Sequence, residues 1–155
     1  MTDIIPEGIP VRRKNRIFAV QCIYALAIDK SDGLFSPEDT VENFAGKFFP
    51  GDEKLKFGKE LAIGIIENID VIDDLIKEHS THWSLDRIAA TDLAILRVAI
   101  YEMLFREDVP PIVAINEAID IGKIMSTEES NRFLNGVLDG VKKKLKRPLR
   151  EPGNK

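Results

Sequence analysis

Two short basic runs carry the most evident chemistry. Arg12, Arg13, Lys14 and Arg16 place four cations in five residues, and "KKKLKR" at 142–147 places five in six. Clustered cations neutralise a nucleic-acid backbone and release its counterions. The affinity they give falls with salt and carries little sequence readout. The second run has another explanation, because lysines near a helix C-terminus complement the macrodipole and charge runs are commonly solvated faces. Arg132 and Phe133 add a cation beside an aromatic ring. Single-stranded RNA is recognised by stacking unpaired bases on aromatics, at about 1–3 kcal/mol per base. On its residues alone, however, Phe133 reads as core, since it shares a helical face with Val137.

Other chemistries find little support. Cys22 is the only cysteine, which excludes an internal disulfide and a zinc–cysteine site. Its apolar helical setting makes it a core thiol rather than a nucleophile. His79 and His82 are spaced to share a metal, but no carboxylate in this stretch completes the set. No Glu-x-x-His occurs anywhere, which argues against a carboxylate di-metal bundle. No glycine-rich phosphate loop and no nucleophile–base pair emerges. The expectation is no catalytic residue, no metal and no cofactor.

The elements that must position these residues are helical almost throughout. The chain has 155 residues, 44% of them hydrophobic and 31% charged. That suits one soluble domain with a real core. No apolar run reaches the length of a membrane span, and "MTDIIPEGIPVRRKNR" lacks the apolar segment of a signal peptide. The cytoplasm is the expected compartment. The net charge of −4 is unevenly spread. Residues 1–30 carry five bases against three acids, 31–141 ten against twenty-two, and 142–155 seven against one. An acidic body of this kind repels nucleic acid and suits a basic protein partner.

The expected order of elements is as follows. A helix from about Arg12 to Asp29, apolar on most sides after Arg16, is buried centrally. Ser36, Pro37, Glu38 and Asp39 open a short second helix, with Val41, Phe44, Ala45 and Phe48 on one face. One long helix runs from about Glu53 to Glu78, its core stripe Ile65, Ile69, Ile72 and Ile76. Ser84 caps a helix over 84–106, Pro111 opens another, and Ser126 with Glu129 forms a capping box for the last. The class is all-α: a single compact domain of about six or seven helices. Its boundaries are a flexible extension at 1–11, the helical body at 12–147, and a flexible basic tail at 148–155. The last helix holds a conflict. Asn135-Gly136 is a turn signal, yet Phe133, Leu134, Val137, Leu138 and Val141 keep helical spacing.

Four ordered stretches carry a resemblance: "RRKNRIFAVQCIY" at 12–24, "LRVAIYEM" at 96–103, "VPPIVAINEAIDIGK" at 109–123 and "FLNGVLDG" at 133–140. Together they resemble the NusB family of transcription antitermination factors. The resemblance implies two packed three-helix bundles and no enzymatic activity. It implies binding of a boxA-type single-stranded RNA in nascent ribosomal transcripts, with the ribosomal protein NusE and within an elongation complex of RNA polymerase. Under it, Arg12, Arg13, Lys14 and Arg16 form an RNA-binding arm. Phe133, Arg132 and Glu129 follow the RNA path, and Tyr24 either flanks that path or lies in the core with its hydroxyl at the surface. Asp86 and Asp92, both placed on the fourth helix, face NusE. Asn116, Asn135 and Gly136 are close-packing devices, and Gly140 is merely tolerated. The basic chain ends and the Phe133 ring are expected to converge on one side. A homodimer is a further partner, suggested by the apolar Ile17 and Phe18 at the start of the first helix. The competing class is a helical adaptor, or a self-associating dimer, that binds protein only.

Overall fold

The first helix begins where the sequence lets it. Pro10 cannot continue a helix backwards, and its carbonyl accepts the Lys14 N–H at 2.9 Å. The structure is a computed structural model, and it describes residues 8–28, 35–80 and 84–152. Every regular element among the described residues is helical, with seven α-helices and one 3₁₀ turn. No helix there is long and apolar enough to cross a membrane. The chain divides into two compact units after Glu67.

The first unit contains α1 (Val11–Ile28), α2 (Pro37–Phe48) and α3 (Lys56–Glu67). Ile17, Phe18, Ala19, Val20, Cys22 and Ile23 of α1 are all buried, as a helix apolar around its girth requires. Ser36 caps α2 as expected, its hydroxyl accepting the Asp39 N–H at 3.1 Å. Phe18 sets its ring edge to face against Phe44 and Phe49, with centroids 5.6 and 5.1 Å away. Such pairs contribute about 0.5–1.5 kcal/mol beyond their burial. α1 and α3 approach closely at Gly58. A Cβ there would lie 2.6 Å from the Asn15 carbonyl oxygen and 2.9 Å from the Phe18 ring. The Gly58 N–H donates to Asn15 Oδ1 at 2.8 Å, and Asn15 Nδ2 donates to the carbonyls of Val11 and Lys54. A buried amide is thereby satisfied and ties α1 to the start of α3.

The second unit contains α4 (Ile69–His79), the 3₁₀ turn Leu85–Arg87, α5 (Ala90–Phe105), α6 (Pro111–Met125) and α7 (Glu128–Lys144). α5 is central, packing against α4, α6 and α7. Arg97 of α5 grips Asp73 of α4 with two hydrogen bonds of 2.9 Å. The Arg147 guanidinium folds back over the end of α5 and donates to the carbonyls of Met103, Arg106 and Val109 at 3.1, 3.0 and 2.7 Å. These are among the carbonyls that a helix end and its turn leave unsatisfied.

The structure corrects three boundaries. The expected helix over 53–78 is two helices, broken at Asn68 (φ −121°, ψ 22°). The isoleucine stripe runs on across the break, so periodicity could not reveal it. The second unit consequently holds four α-helices. Ser84 does not cap α5. It precedes the 3₁₀ turn and makes no cap hydrogen bond, and α5 starts at Ala90. The cap of α7 is Thr127, whose hydroxyl accepts the Ser130 N–H at 3.1 Å. Ser126 instead ends α6 and donates to Asp92.

Candidate nucleic-acid interface

In the first unit the basic run is helix from its first residue, not a flexible arm. Arg12 is exposed, and its guanidinium lies 3.8 Å from the centroid of the Phe57 ring. Arg16 approaches the same ring at 5.3 Å and is only 4% exposed. Lys14 pairs with Asp52 at 2.8 Å, and this hydrogen bond holds the Asp52 carboxyl below the usual carboxylate range. α3 and the loop before it therefore organise the cations that α1 presents. Arg12 points outward, Arg13 is half-buried, and Arg16 is taken inside. α1 begins at Val11, and residues 1–7 of the expected N-terminal extension lie outside the described residues. Tyr24 is 38% exposed. A residue exposed to that degree fits either alternative, a ring beside the RNA path or a packed ring with its hydroxyl at the surface.

In the second unit Phe133 is half-buried, and it is not core. The core face of α7 is Leu134, Val137, Leu138 and Val141. Phe133 lines a cleft of about 200 Å³ together with Glu129 and Ser130 of the same helix and Thr127 at its cap. The facing wall is Arg87, Ile88, Ala89 and Asp92, around the start of α5. The cleft offers an aromatic ring, an exposed cation at Arg87 and an exposed acid at Glu129. Asp86 lies in the 3₁₀ turn rather than on a long helix. It is exposed, and the Ser84 hydroxyl donates to its carboxylate, holding it below the usual range. Asp92 sits in the first turn of α5, is 5% exposed, and accepts the Ser126 hydroxyl at 2.7 Å. Its carboxyl anchors the cleft wall from inside.

A second depression, a groove of about 560 Å³, runs between α6 and α7. Asn131, Arg132 and Asn135 form one side; Asn116, Asp120 and Lys123 form the other, with Ile119 between. This overturns the close-packing reading of Asn116, Asn135 and Gly136. Both asparagines are exposed, and a Cβ on Gly136 would meet nothing within 4 Å. The core face of α7 turns positions 134, 137, 138 and 141 inward, which leaves 135 and 136 in water. Gly140 is the tight one: a Cβ there would overlap the His79 ring.

The remaining candidates resolve physically. His79 sets Nδ1 3.0 Å from the Leu75 carbonyl oxygen, and His82 lies outside the described residues. Among the described residues no three His, Cys, Asp or Glu side chains are gathered to hold a metal ion. Burial pushes the Cys22 thiol up to about 12, which keeps it protonated and unreactive. The C-terminal run is largely engaged. Lys142 and Lys143 pair with Asp139, Lys144 pairs with Glu78, and Arg147 closes the end of α5. Within the stretch expected as a flexible tail, the Leu149 carbonyl accepts the Ile112 N–H at 2.9 Å.

The sequence reading missed Asn15, Phe57 and Gly58, which set the basic run in place, and Arg87, Lys123 and Asn131, which complete the two depressions. An asparagine interrupting a basic run was the one available signal.

The NusB family profile matches residues 13–143. A transcription antitermination protein NusB from Desulfatibacillum aliphaticivorans is 44% identical over 130 residues, covering 84% of this chain and 88% of its own length. Its counterpart in Bacillus thuringiensis (strain Al Hakam) is 42% identical over 134 residues, covering 86% and 98%. The structure of T. maritima NusB superposes with a TM-score of 0.74 at 34% identity, covering 88% of this chain and 92% of that one. A crystal structure of antitermination factors NusB and NusE in complex with dsRNA gives 0.73 at 21% identity, covering 87% and 98%; at that identity the likeness is of fold. With a profile spanning α1 to α7 and relatives alike over nearly their whole lengths, the chain belongs to the NusB family.

Proposed function

We propose that the protein is a non-enzymatic, cytoplasmic transcription antitermination factor. It binds a boxA-type single-stranded RNA in nascent ribosomal transcripts, acts together with NusE, and keeps RNA polymerase transcribing. Its relatives carry transcription antitermination in their names, and a NusB of the same fold has been crystallised with NusE and dsRNA. The observation that carries the reading is Phe133, an aromatic held half-out of the core beside Arg87 in an open cleft. A ring so placed stacks an unpaired base while the neighbouring cation meets phosphate. Arg12, Arg13 and Lys14 at the head of α1 supply salt-dependent backbone contacts, with Tyr24 exposed on the same helix. Arg16, buried behind Arg12, approaches the same Phe57 ring. Glu129 borders the base in the cleft, and Arg132, on the other side of the same helix turn, is a cation for the adjoining phosphate.

The exposed Asp86 is the acid offered to NusE, and the buried Asp92 holds the wall from which it projects. Fluorescence anisotropy of a labelled boxA-type RNA, titrated with and without NusE, tests the reading. The native protein binds the RNA, and NusE tightens it. Asp86→Lys loses the NusE-dependent gain and keeps RNA binding by the protein alone. RNA affinity indifferent to Arg12→Ala and Phe133→Ala would instead make the protein an adaptor that binds protein only.

A further inference from the structure

Side chains of α7 reach two different depressions. Phe133 lines the cleft toward α5, while Asn131, Arg132 and Asn135 line the groove toward α6. The groove carries three primary amides, Asn116, Asn131 and Asn135, with Lys123 and Arg132 as its cations. Asp120, the acid in its lining, lies 3.8 Å from the Lys123 ammonium. Neither Asn116 nor Asn135 makes a side-chain hydrogen bond among the described residues. The Asn131 amide oxygen is buried without a partner, pressed against Gly122. A primary amide presents a donor beside an acceptor. That pattern matches a base edge, and asparagine pairs bidentately with adenine. Aromatic-poor and amide-rich, the groove lacks the apolar anchors on which protein interfaces depend.

We propose that the α6–α7 groove binds the edge of an unpaired adenine in the same RNA strand, next to the nucleotide stacked on Phe133. The strand crosses the first turns of α7, with Arg132 meeting the phosphate between the two bases. The cleft then supplies stacking and the groove supplies sequence readout. The proposal rests on the RNA reading above, and its test separates the two.

Two labelled RNAs differ only at their adenosines. In one, every adenosine of a boxA-type element and of its flanks is intact; in the other, each is replaced by an abasic nucleotide. The native protein binds the adenosine form more tightly by about five- to tenfold. Asn116→Ala and Asn135→Ala, both at exposed positions, retain the native helical circular dichroism and melting temperature. They bind the abasic form like the native protein and lose the adenosine gain. Equal binding of both RNAs by the native protein overturns the groove and leaves the cleft standing. Absence of binding to either RNA overturns the function reading itself. Variants that keep the adenosine gain, or that weaken only NusE binding, also overturn the groove's assignment to RNA.

Discussion

The guanidinium of Arg12 rests 3.8 Å from the centre of the Phe57 ring. A cation over an aromatic face gains about 0.5–1 kcal/mol at an exposed site and loses conformational freedom before any ligand arrives. The ring therefore presets the cation that the proposed function brings to phosphate. Phe57→Ala is expected to weaken RNA binding about two- to fivefold while leaving its salt dependence unchanged, because the charge remains. Arg12→Ala is expected to weaken it and also to reduce the slope of log affinity against log salt by about 0.7. Anisotropy titrations at several salt concentrations distinguish the two.

Lys14 and Asp52 form a partly exposed pair, so its contribution is about 0.2–1 kcal/mol. The Asp52 carboxyl is lowered in the folded state, chiefly by the hydrogen bond from Lys14. Stability from a depressed carboxyl is present above its unfolded pKa and is lost as pH falls through the folded one. Lys14→Ala should therefore destabilise the protein at neutral pH and be nearly silent in strong acid. Urea unfolding at the two pH values measures the difference.

Gly136 and Gly140 should respond oppositely to alanine. Nothing meets a Cβ at Gly136, so Gly136→Ala gains helix propensity and stabilises by about 0.5–1 kcal/mol. Gly140→Ala drives a methyl group into the His79 ring and costs about 1–3 kcal/mol. Combining Gly140→Ala with His79→Ala recovers part of that loss, which a double-mutant cycle reads directly.

Arg147 belongs to the fold of the second unit. Its guanidinium serves three carbonyls at 3.1 Å or less. Arg147→Ala strips charge-assisted bonds and leaves those carbonyls short of donors, for a loss of about 2 kcal/mol. RNA affinity measured well below the melting temperature should stay near native, in contrast to Arg12→Ala.

Helix starts were legible at Ser36-Pro37 and Pro111, whereas Ser84 and Ser126 read as caps that they do not make. Periodicity alone also misled. The stripe Ile65, Ile69, Ile72 and Ile76 passes through Asn68 without interruption, so one helix was read where the backbone makes two. The site was legible as residue types and illegible as faces. The conflict at Asn135-Gly136 could not separate close packing from solvent exposure, since both accommodate a glycine. Only the register of Leu134, Val137, Leu138 and Val141 decides between them. Gly140 shows the reverse case, a glycine read as tolerated that the His79 ring requires. Asn15 escaped notice because its partners, Lys54 and Gly58, lie about forty residues away in sequence, beyond the reach of any local pattern.

The central claim is that the Phe133 ring stacks an unpaired base of the transcript. The affinity of Phe133→Ala for a boxA-type RNA, relative to native protein of matched thermal stability, tests it most directly. Loss of one stacked base predicts a drop of about five- to 150-fold, from about 1–3 kcal/mol. An affinity equal to that of the native protein would contradict the account.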